Sequence, residues 1–146
     1  MPNPTGPPAE PPIGLLLSRV AKDAGRAFDD ALAESGGSAP TWQILLALKT
    51  RKVANQRELA EAIGIRGATL THHLNAMEES GLLTRRRDPD NRRVHLVELT
   101  RAGDAMFLRL AGAARDFDER LRTGLSERDL ATLRHLLSKL HANAMD

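Results

Sequence analysis

Apolar residues recur at three- and four-residue steps along most of this chain. That spacing lines one face of an α-helix, so it predicts helices that pack on a shared core. Aromatic residues make up only 3% of the chain, so leucine, alanine, valine and isoleucine must build the core, which suits long helices. We predict a mainly α fold with helices over 13–34, over a short stretch from Pro40, over 56–63 and 67–80, over a long stretch after Thr100 and over a last one after Ser126. Asn55 is expected to cap the helix over 56–63, and Ser126 with Asp129 is expected to form a capping box.

One segment between the helices has strand-like sequence. Leu83–Arg87 and Arg93–Leu99 are rich in threonine, valine, leucine and arginine, and the turn-type sequence Asp88–Asn91 lies between them. We therefore expect one small β-hairpin in the otherwise helical fold. Residues 1–12 hold six of the eight prolines and are expected to form a disordered or extended tail, which leaves 13–146 as a single domain.

The composition excludes several classes of protein. The chain has no cysteine, which rules out disulfides, thiol redox sensing and cysteine-based zinc sites. Its apolar runs are far shorter than the roughly 20 residues that a membrane span requires, and the N-terminus lacks the pattern of a secretory signal, so we expect a cytoplasmic protein. No phosphate-binding loop, nucleophile elbow or paired-carboxylate motif is present, so we expect no enzyme, no catalytic residue and no cofactor.

The helices predicted over 56–63 and 67–80, separated at Gly64, have the proportions of a helix-turn-helix. In that motif the second helix enters the major groove of DNA and presents its N-terminal residues to the base edges. The inner face of the second helix is predicted to consist of Leu70, Leu74 and Met77, which leaves short or hydrogen-bonding side chains outside or at the border. The candidate DNA contacts are Arg66, Thr69, Thr71, His72 and Asn75.

Arginines crowd around the predicted hairpin although the net charge of the chain is only +2. A concentrated basic patch on a nearly neutral protein is the electrostatic feature expected of a nucleic-acid contact. Beside a groove, such a hairpin would neutralise phosphates or place an arginine in the minor groove, and Arg85 is a candidate contact. The five arginines are Arg85, Arg86, Arg87, Arg92 and Arg93.

Residues 88–100 read DPDNRRVHLVELT and are followed by RAG, which ends at Gly103. This segment resembles the wing signature of the MarR family of bacterial regulators, which has the form D-x-R, five residues, Leu-Thr and a nearby glycine. Arg93, Leu99, Thr100 and Gly103 match that signature. Residues 58–83, ELAEAIGIRGATLTHHLNAMEESGLL, also resemble the helix-turn-helix of the family. With the long flanking helices, the resemblance covers nearly the whole chain.

The chain departs from the family pattern at one position. Asn91 stands where the signature has its aspartate, which in the family steadies the wing arginine through a charge-assisted hydrogen bond. An amide accepts only a neutral and weaker bond. We therefore expect Arg93 to be held less firmly here and Arg92 to share its role toward DNA.

The resemblance implies a winged helix-turn-helix over 40–99, with dimerisation helices over 13–34 and 101–146. A homodimer would bind pseudo-palindromic double-stranded DNA, with half-sites about one helical turn, roughly 34 Å, apart. The long apolar stripes agree with this, since a small winged domain cannot cover them. The family also implies a repressor that a small aromatic or phenolic ligand relieves. The candidate pocket residues are Arg19, Phe28, Trp42 and His73.

Other functions remain open on the sequence. A metal sensor would need chelating histidines, but no two of the five histidines are four residues apart, so we expect no metal. A winged-helix module that binds proteins, or an architectural protein that binds DNA without sequence preference, would also fit the predicted fold. DNA binding should weaken steeply as salt rises, because phosphate contacts release counterions, whereas an apolar protein interface would not respond in this way.

Overall fold

A computed structural model describes residues 10–50 and 55–146 of the chain. The described part contains six helices and one two-stranded sheet, and this confirms the predicted mainly α fold with a small hairpin. The predicted tail lies largely outside the described residues. In chain order the elements are α1 (Ile13–Glu34), α2 (Ala39–Thr50), α3 (Gln56–Ile63), α4 (Gly67–Glu79), β1 (Leu83–Arg87), β2 (His95–Leu99), α5 (Arg101–Leu121) and α6 (Glu127–Met145).

Polar side chains and glycines set the ends of the helices. The Asn55 side chain accepts the backbone N–H of Glu58 at 2.8 Å and begins α3, which ends at Gly64 with a φ of 77°. Ser126 and Asp129 form the predicted capping box at the start of α6. The backbone N–H of Ser126 donates to the Asp129 carboxylate, and this bond holds the pKa of that carboxyl below its ordinary value.

The core lies between the helix-turn-helix, the hairpin and the inner sides of α1, α2 and α5. Leu70, Leu74 and Met77, the predicted inner face of the second helix of the motif, are all buried, so this prediction is confirmed. They fix which side of α4 points outward. The largest fully buried side chains are Leu32, Ile44, Leu45, Leu59, Leu70, Leu74, Leu83 and Leu110.

The hairpin pairs β1 with β2 in antiparallel register, from Leu83 opposite Leu99 to Arg87 opposite His95. The prediction that the second strand begins at Arg93 was two residues too early. The turn continues to Val94, where the Asp88 N–H donates to the Val94 carbonyl at 2.9 Å and the Val94 N–H donates to the Asn91 carbonyl at 2.9 Å. Residues with strand-forming side chains, such as Val94, therefore belong to the turn, because backbone hydrogen bonds close the turn there.

The two ends of the hairpin are joined at the first turn of α5. The Thr100 N–H donates to the Leu82 carbonyl at 3.1 Å, and the Thr100 hydroxyl donates to the Gly81 carbonyl at 2.5 Å. That hydroxyl also accepts the N–H of Gly103 at 3.1 Å. Gly103 is buried so closely against this junction that an added Cβ would overlap the Leu82 carbonyl oxygen. The Leu-Thr and glycine positions of the wing signature are thus explained by packing.

The terminal helices leave much apolar surface uncovered in the single chain. Ile13 is 61% exposed at the start of α1, and Leu133 on α6 is 46% exposed. Among the described residues α6 has almost no tertiary contact, and Leu130 is its one buried side chain. None of the described helices has the length and apolar character that crossing a membrane would require. The exposed apolar residues on α1 and α6 include Ile13, Leu16, Leu17, Val20, Leu133, Leu136 and Leu137.

Candidate nucleic-acid interface

The outer face of α4 carries the predicted base-reading side chains. Thr69, His72 and Asn75 are exposed on the side opposite the buried leucines. The ring of His72 lies 5.6 Å from that of the half-buried His73, in an edge-to-face arrangement. Short polar side chains and one imidazole on an exposed helix face are suited to hydrogen bonding with base edges or phosphates.

Thr71 has partners inside the protein. Its hydroxyl donates to the Gly67 carbonyl at 2.9 Å and accepts the side-chain amide N–H of Gln56 at 2.7 Å. The pair joins the first turn of α3 to α4, so it fixes the two helices of the motif relative to each other. Sequence reasoning missed Gln56, because a glutamine in the first turn of a helix gives no signal that it bonds a helix 15 residues away.

Arg85 lies on the inner side of the hairpin. Side chains alternate along a strand, so Arg85 shares a face with buried Leu83 and stands opposite buried Val97. Its guanidinium donates to Asn75 Oδ1 at 2.5 Å and to Glu78 Oε1 at 3.3 Å, and its side chain is only 18% exposed. Two predicted DNA contacts, Asn75 and Arg85, are therefore bonded to each other.

Glu78 completes this group, which we call the Asn75–Glu78–Arg85 brace. Glu78 Oε2 accepts the backbone N–H of Arg85 at 3.0 Å and its Nε–H at 3.4 Å. Hydrogen bonding to the Arg85 side chain lowers the pKa of Glu78. Sequence reasoning missed Glu78, although Asn75 and Glu78 are three residues apart on one helix face and strand alternation from Leu83 places Arg85 inward.

The turn of the hairpin presents unpaired cations. Arg92 and Arg93 are exposed, and their guanidinium groups have no partner among the described residues. The Asn91 side chain accepts the backbone N–H of Arg93 at 3.2 Å and shapes the turn. Arg87 donates to the Arg92 carbonyl at 3.4 Å. The free cations of the hairpin are therefore concentrated at its tip.

Arg66 lies at the other end of the predicted interface. It is the residue before α4, is exposed, and makes no side-chain capping bond there. It directly precedes the first helical turn, whose unpaired backbone N–H groups favour an anion. Arg66, the outer face of α4 and the tip of the hairpin together give an exposed polar and basic surface.

The structure does not gather the predicted pocket residues into one site. Phe28 packs on Phe117 with ring centroids 5.2 Å apart, and Trp42 stacks on Phe107 at 5.6 Å. Arg19 is exposed on α1, and His73 is half-buried on α4. A separate cavity lies where α2, α4 and α5 meet. It is lined by Gly36, Thr41, Ala76, Met77, Ser80, Leu82, Ala102, Ala105, Met106 and Arg109.

Metal-binding side chains do not cluster in the described part of the chain. Within residues 10–50 and 55–146, no group of three or more histidine, aspartate or glutamate side chains is positioned to hold a metal ion. His72 and His73 lie together, but no carboxylate completes a site with them. The described geometry therefore gives no support to a metal sensor.

The winged segment of this chain matches a known protein family. A model of the MarR family matches residues 38–95, from the residue before α2 to the first residue of β2. A probable transcriptional regulator from Pseudomonas aeruginosa is 29% identical, with a TM-score of 0.76 over 88% of this chain and 96% of that one.

Two further solved structures share the fold and carry functional information. A mutant MarR from E. coli, in complex with operator DNA, is 25% identical with a TM-score of 0.78, over 88% of this chain and 93% of that one. BpsR from Bordetella bronchiseptica, whose DNA binding is regulated by 6-hydroxynicotinic acid, is 25% identical with a TM-score of 0.76, over 88% of this chain and 98% of that one. The similarity therefore extends over the terminal helices as well as the winged segment.

Proposed function

We propose that this chain, which matches the MarR family of transcription regulators over residues 38–95, represses transcription by binding specific double-stranded DNA as a homodimer. The observation that carries the proposal is an exposed outer face of α4 together with a hairpin tip that has two unpaired arginines, where Gly67 at the start of α4 and Arg93 at the tip line the same cavity. The family and the fold are those of regulators rather than enzymes. A regulator of this kind works on chromosomal DNA in the cytoplasm.

In the proposed complex, α4 lies in the major groove. His72 and Thr69 face base edges, and Arg66 faces a phosphate at the start of the helix. The hairpin lies along the neighbouring backbone, so that Arg92 and Arg93 neutralise phosphates or enter the minor groove. The E. coli relative in complex with operator DNA supports this role for the fold.

The homodimer is proposed from the uncovered apolar faces of α1 and α6. Burying such surface in a second copy is favourable at about 25 cal/mol per Å² of apolar area. In this arrangement 13–34 and 101–146 form the subunit interface, and 40–99 forms the DNA-binding unit. A two-fold axis would present two α4 helices to a pseudo-palindromic site, with half-sites roughly 34 Å apart.

Control by a small aromatic or phenolic ligand is the finer part of the proposal. The regulation of BpsR by 6-hydroxynicotinic acid supports it. The cavity between α2, α4 and α5 borders the C-terminal end of α4 and includes Arg109, a cation that an acidic ligand would pair with. A ligand there would act by favouring a dimer in which the two α4 helices no longer fit both grooves.

The first test is fluorescence anisotropy of labelled DNA from the upstream region of the gene, titrated with the full chain at two salt concentrations. An unrelated duplex serves as competitor. Tight, salt-sensitive binding that resists the competitor is the expected result.

Other outcomes favour the alternatives. Equal binding to any duplex would favour an architectural protein. Absence of binding to every duplex, with the chain folded, would overturn the proposal and favour a winged-helix module that binds proteins.

Replacing Arg93 by alanine is expected to weaken binding to every duplex and to reduce the slope of log K against log salt by about 1.8, since the dimer loses one phosphate contact in each subunit. The slope is measured by anisotropy at four or more salt concentrations. Arg128→Ala, which removes an exposed arginine from the first turn of α6, is the control and should leave the slope unchanged. If Arg93→Ala also leaves it unchanged, the hairpin tip does not contact DNA.

Replacing His72 by alanine is expected to alter sequence preference more than affinity for unrelated DNA. Loss of one base contact in each half-site should cost about 1 kcal/mol per subunit on specific DNA, which is roughly a 30-fold weaker binding of the dimer. Binding is compared on a selected duplex, on its single-base variants and on a scrambled duplex. His135→Ala, on the side of α6 opposite Leu133 and Leu137, is the control. Equal losses on all duplexes would make His72 a backbone contact.

A further inference from the structure

The Asn75–Glu78–Arg85 brace connects the proposed recognition helix to the hairpin. Glu78 accepts three hydrogen bonds from Arg85, one from its backbone N–H and two from its guanidinium, while Asn75 accepts a fourth. Both the main chain of β1 and the side chain of Arg85 are thereby attached to α4.

Arg85 differs in this from its neighbour on the hairpin. Arg86 meets Glu98 at 3.4 Å on the outer face, where the two side chains are 56% and 62% exposed. Such an exposed pair exchanges readily with water or with a phosphate. Arg85 is 18% exposed and bonds two residues of another element. A phosphate could recruit Arg85 only by breaking these bonds together.

We propose that Glu78 is a specificity-determining residue, which keeps Arg85 on α4 as a positioning residue and away from DNA phosphates. This inference rests on the proposed DNA-binding function. It separates Arg85 from Arg92 and Arg93, which remain free to contact the backbone. The brace also engages the Asn75 side-chain oxygen, so that Thr69 and His72 are the predicted contacts on the outer face of α4 that have no such bond.

Two physical effects connect the brace to specificity. First, α4 and the hairpin must fit different grooves at the same time, and a fixed angle between them accepts only DNA of matching groove geometry. Second, every arginine that is free to reach a phosphate adds affinity for any sequence. Holding Arg85 on Glu78 restricts both the orientation of the hairpin and the number of mobile cations.

The experiment uses the full chain and a duplex selected from a random-sequence library by the unmodified protein, with a scrambled duplex for comparison. We expect Glu78→Gln to reduce the ratio of the two affinities about tenfold. Binding to the scrambled duplex should tighten, and its salt slope should become steeper by about 1.8, as Arg85 gains a phosphate in each subunit of the dimer. Glu79→Gln removes the same charge from the next residue of α4, which has no bond to Arg85, and should leave the ratio unchanged.

Arg85→Gln supplies the second arm of the experiment. We expect it to lower the affinity ratio while leaving the salt slope on the selected duplex unchanged, because Arg85 does not touch a phosphate in that complex. Adding Glu78→Gln to Arg85→Gln should change the ratio less than twofold, since the partner of Glu78 is already absent. A slope that falls by about 1.8, one phosphate contact for each subunit, in Arg85→Gln would overturn the proposal, as would equal effects of Glu78→Gln and Glu79→Gln.

The brace is also tested without DNA. Hydrogen exchange of the Arg85 Nε–H, followed by NMR, should be slower than that of Arg93 in the unmodified chain and should accelerate in Glu78→Gln. Equal exchange at the two arginines would overturn the brace, even if DNA binding is specific. A protected Arg85 in a protein that binds no DNA would instead contradict the proposed function, so the two failures are distinguishable.

Discussion

Replacing Gly103 by alanine is expected to lower the free energy of unfolding by about 3 kcal/mol, near the upper end of the usual cost of overpacking. The added Cβ would overlap the Leu82 carbonyl oxygen and lie 3.2 Å from Leu99 Cδ2. The carbonyl is not free to move, because it accepts the backbone N–H of Thr100 at 3.1 Å. Relief of the clash therefore requires the hairpin to separate from α5.

The measurement is urea denaturation followed by circular dichroism at one fixed protein concentration, since association makes stability depend on concentration. Gly112→Ala is the control on the same helix. A Cβ at Gly112 would meet only the Arg115 guanidinium at 4.0 Å. Its higher helix propensity should raise stability by up to about 1 kcal/mol. Equal urea midpoints for the two variants would contradict the prediction, because they would show that the contact between Gly103 and the hairpin accommodates a methyl group.

Replacing Leu133 and Leu137 of α6 together by aspartate is expected to convert the proposed dimer to a monomer and to weaken DNA binding about 100-fold or more. The two leucines lie one helical turn apart and are 46% and 41% exposed in the single chain, so the change costs the isolated subunit little. At a subunit interface it would bury four carboxylates per dimer without partners. A monomer has one α4 helix and loses the gain that comes from binding two half-sites.

Mass is measured by analytical ultracentrifugation, and DNA binding by anisotropy on the same samples. The control replaces Ala131 and His135 by aspartate. These two residues have the same spacing as the leucines and lie on the opposite, exposed side of α6. It should remain dimeric and bind as the unmodified chain does. If the double variant Leu133→Asp with Leu137→Asp still has the mass of a dimer, the subunit interface does not include this face of α6.

Features that depend on one element at a time could be predicted from the sequence. Helical periodicity identified Leu70, Leu74 and Met77 as the inner face of α4, since each faces the core whatever the rest of the fold does. Caps are equally local, and Asn55 and Ser126 begin α3 and α6 as predicted. The start of β2 was wrong because residue preference favours a strand at Val94, while backbone bonds across the hairpin make it part of the turn.

Features that depend on how two elements meet could not be predicted. Asn75 and Arg85 were both interpreted as contacts for DNA, because a polar side chain outside the core is equally suited to a ligand or to a neighbouring element. Their mutual bond depends on the register of β1 and its tilt toward α4. The same limit applies to Phe28 and Trp42, whose partners on α5 lie 89 and 65 positions further along the chain.

The position of α5 gives the fold a mechanical property. This helix has 21 residues, so it is about 30 Å long, and the hairpin is fastened to its first turn through Gly103. Its other end leads to α6 and the proposed subunit interface. Over that length, a tilt of about 5° displaces the far end by roughly 2.5 Å, close to the length of a hydrogen bond. A small rotation between the subunits would therefore move the hairpin, through the rigid α5 helix, by enough to break its contacts with the DNA.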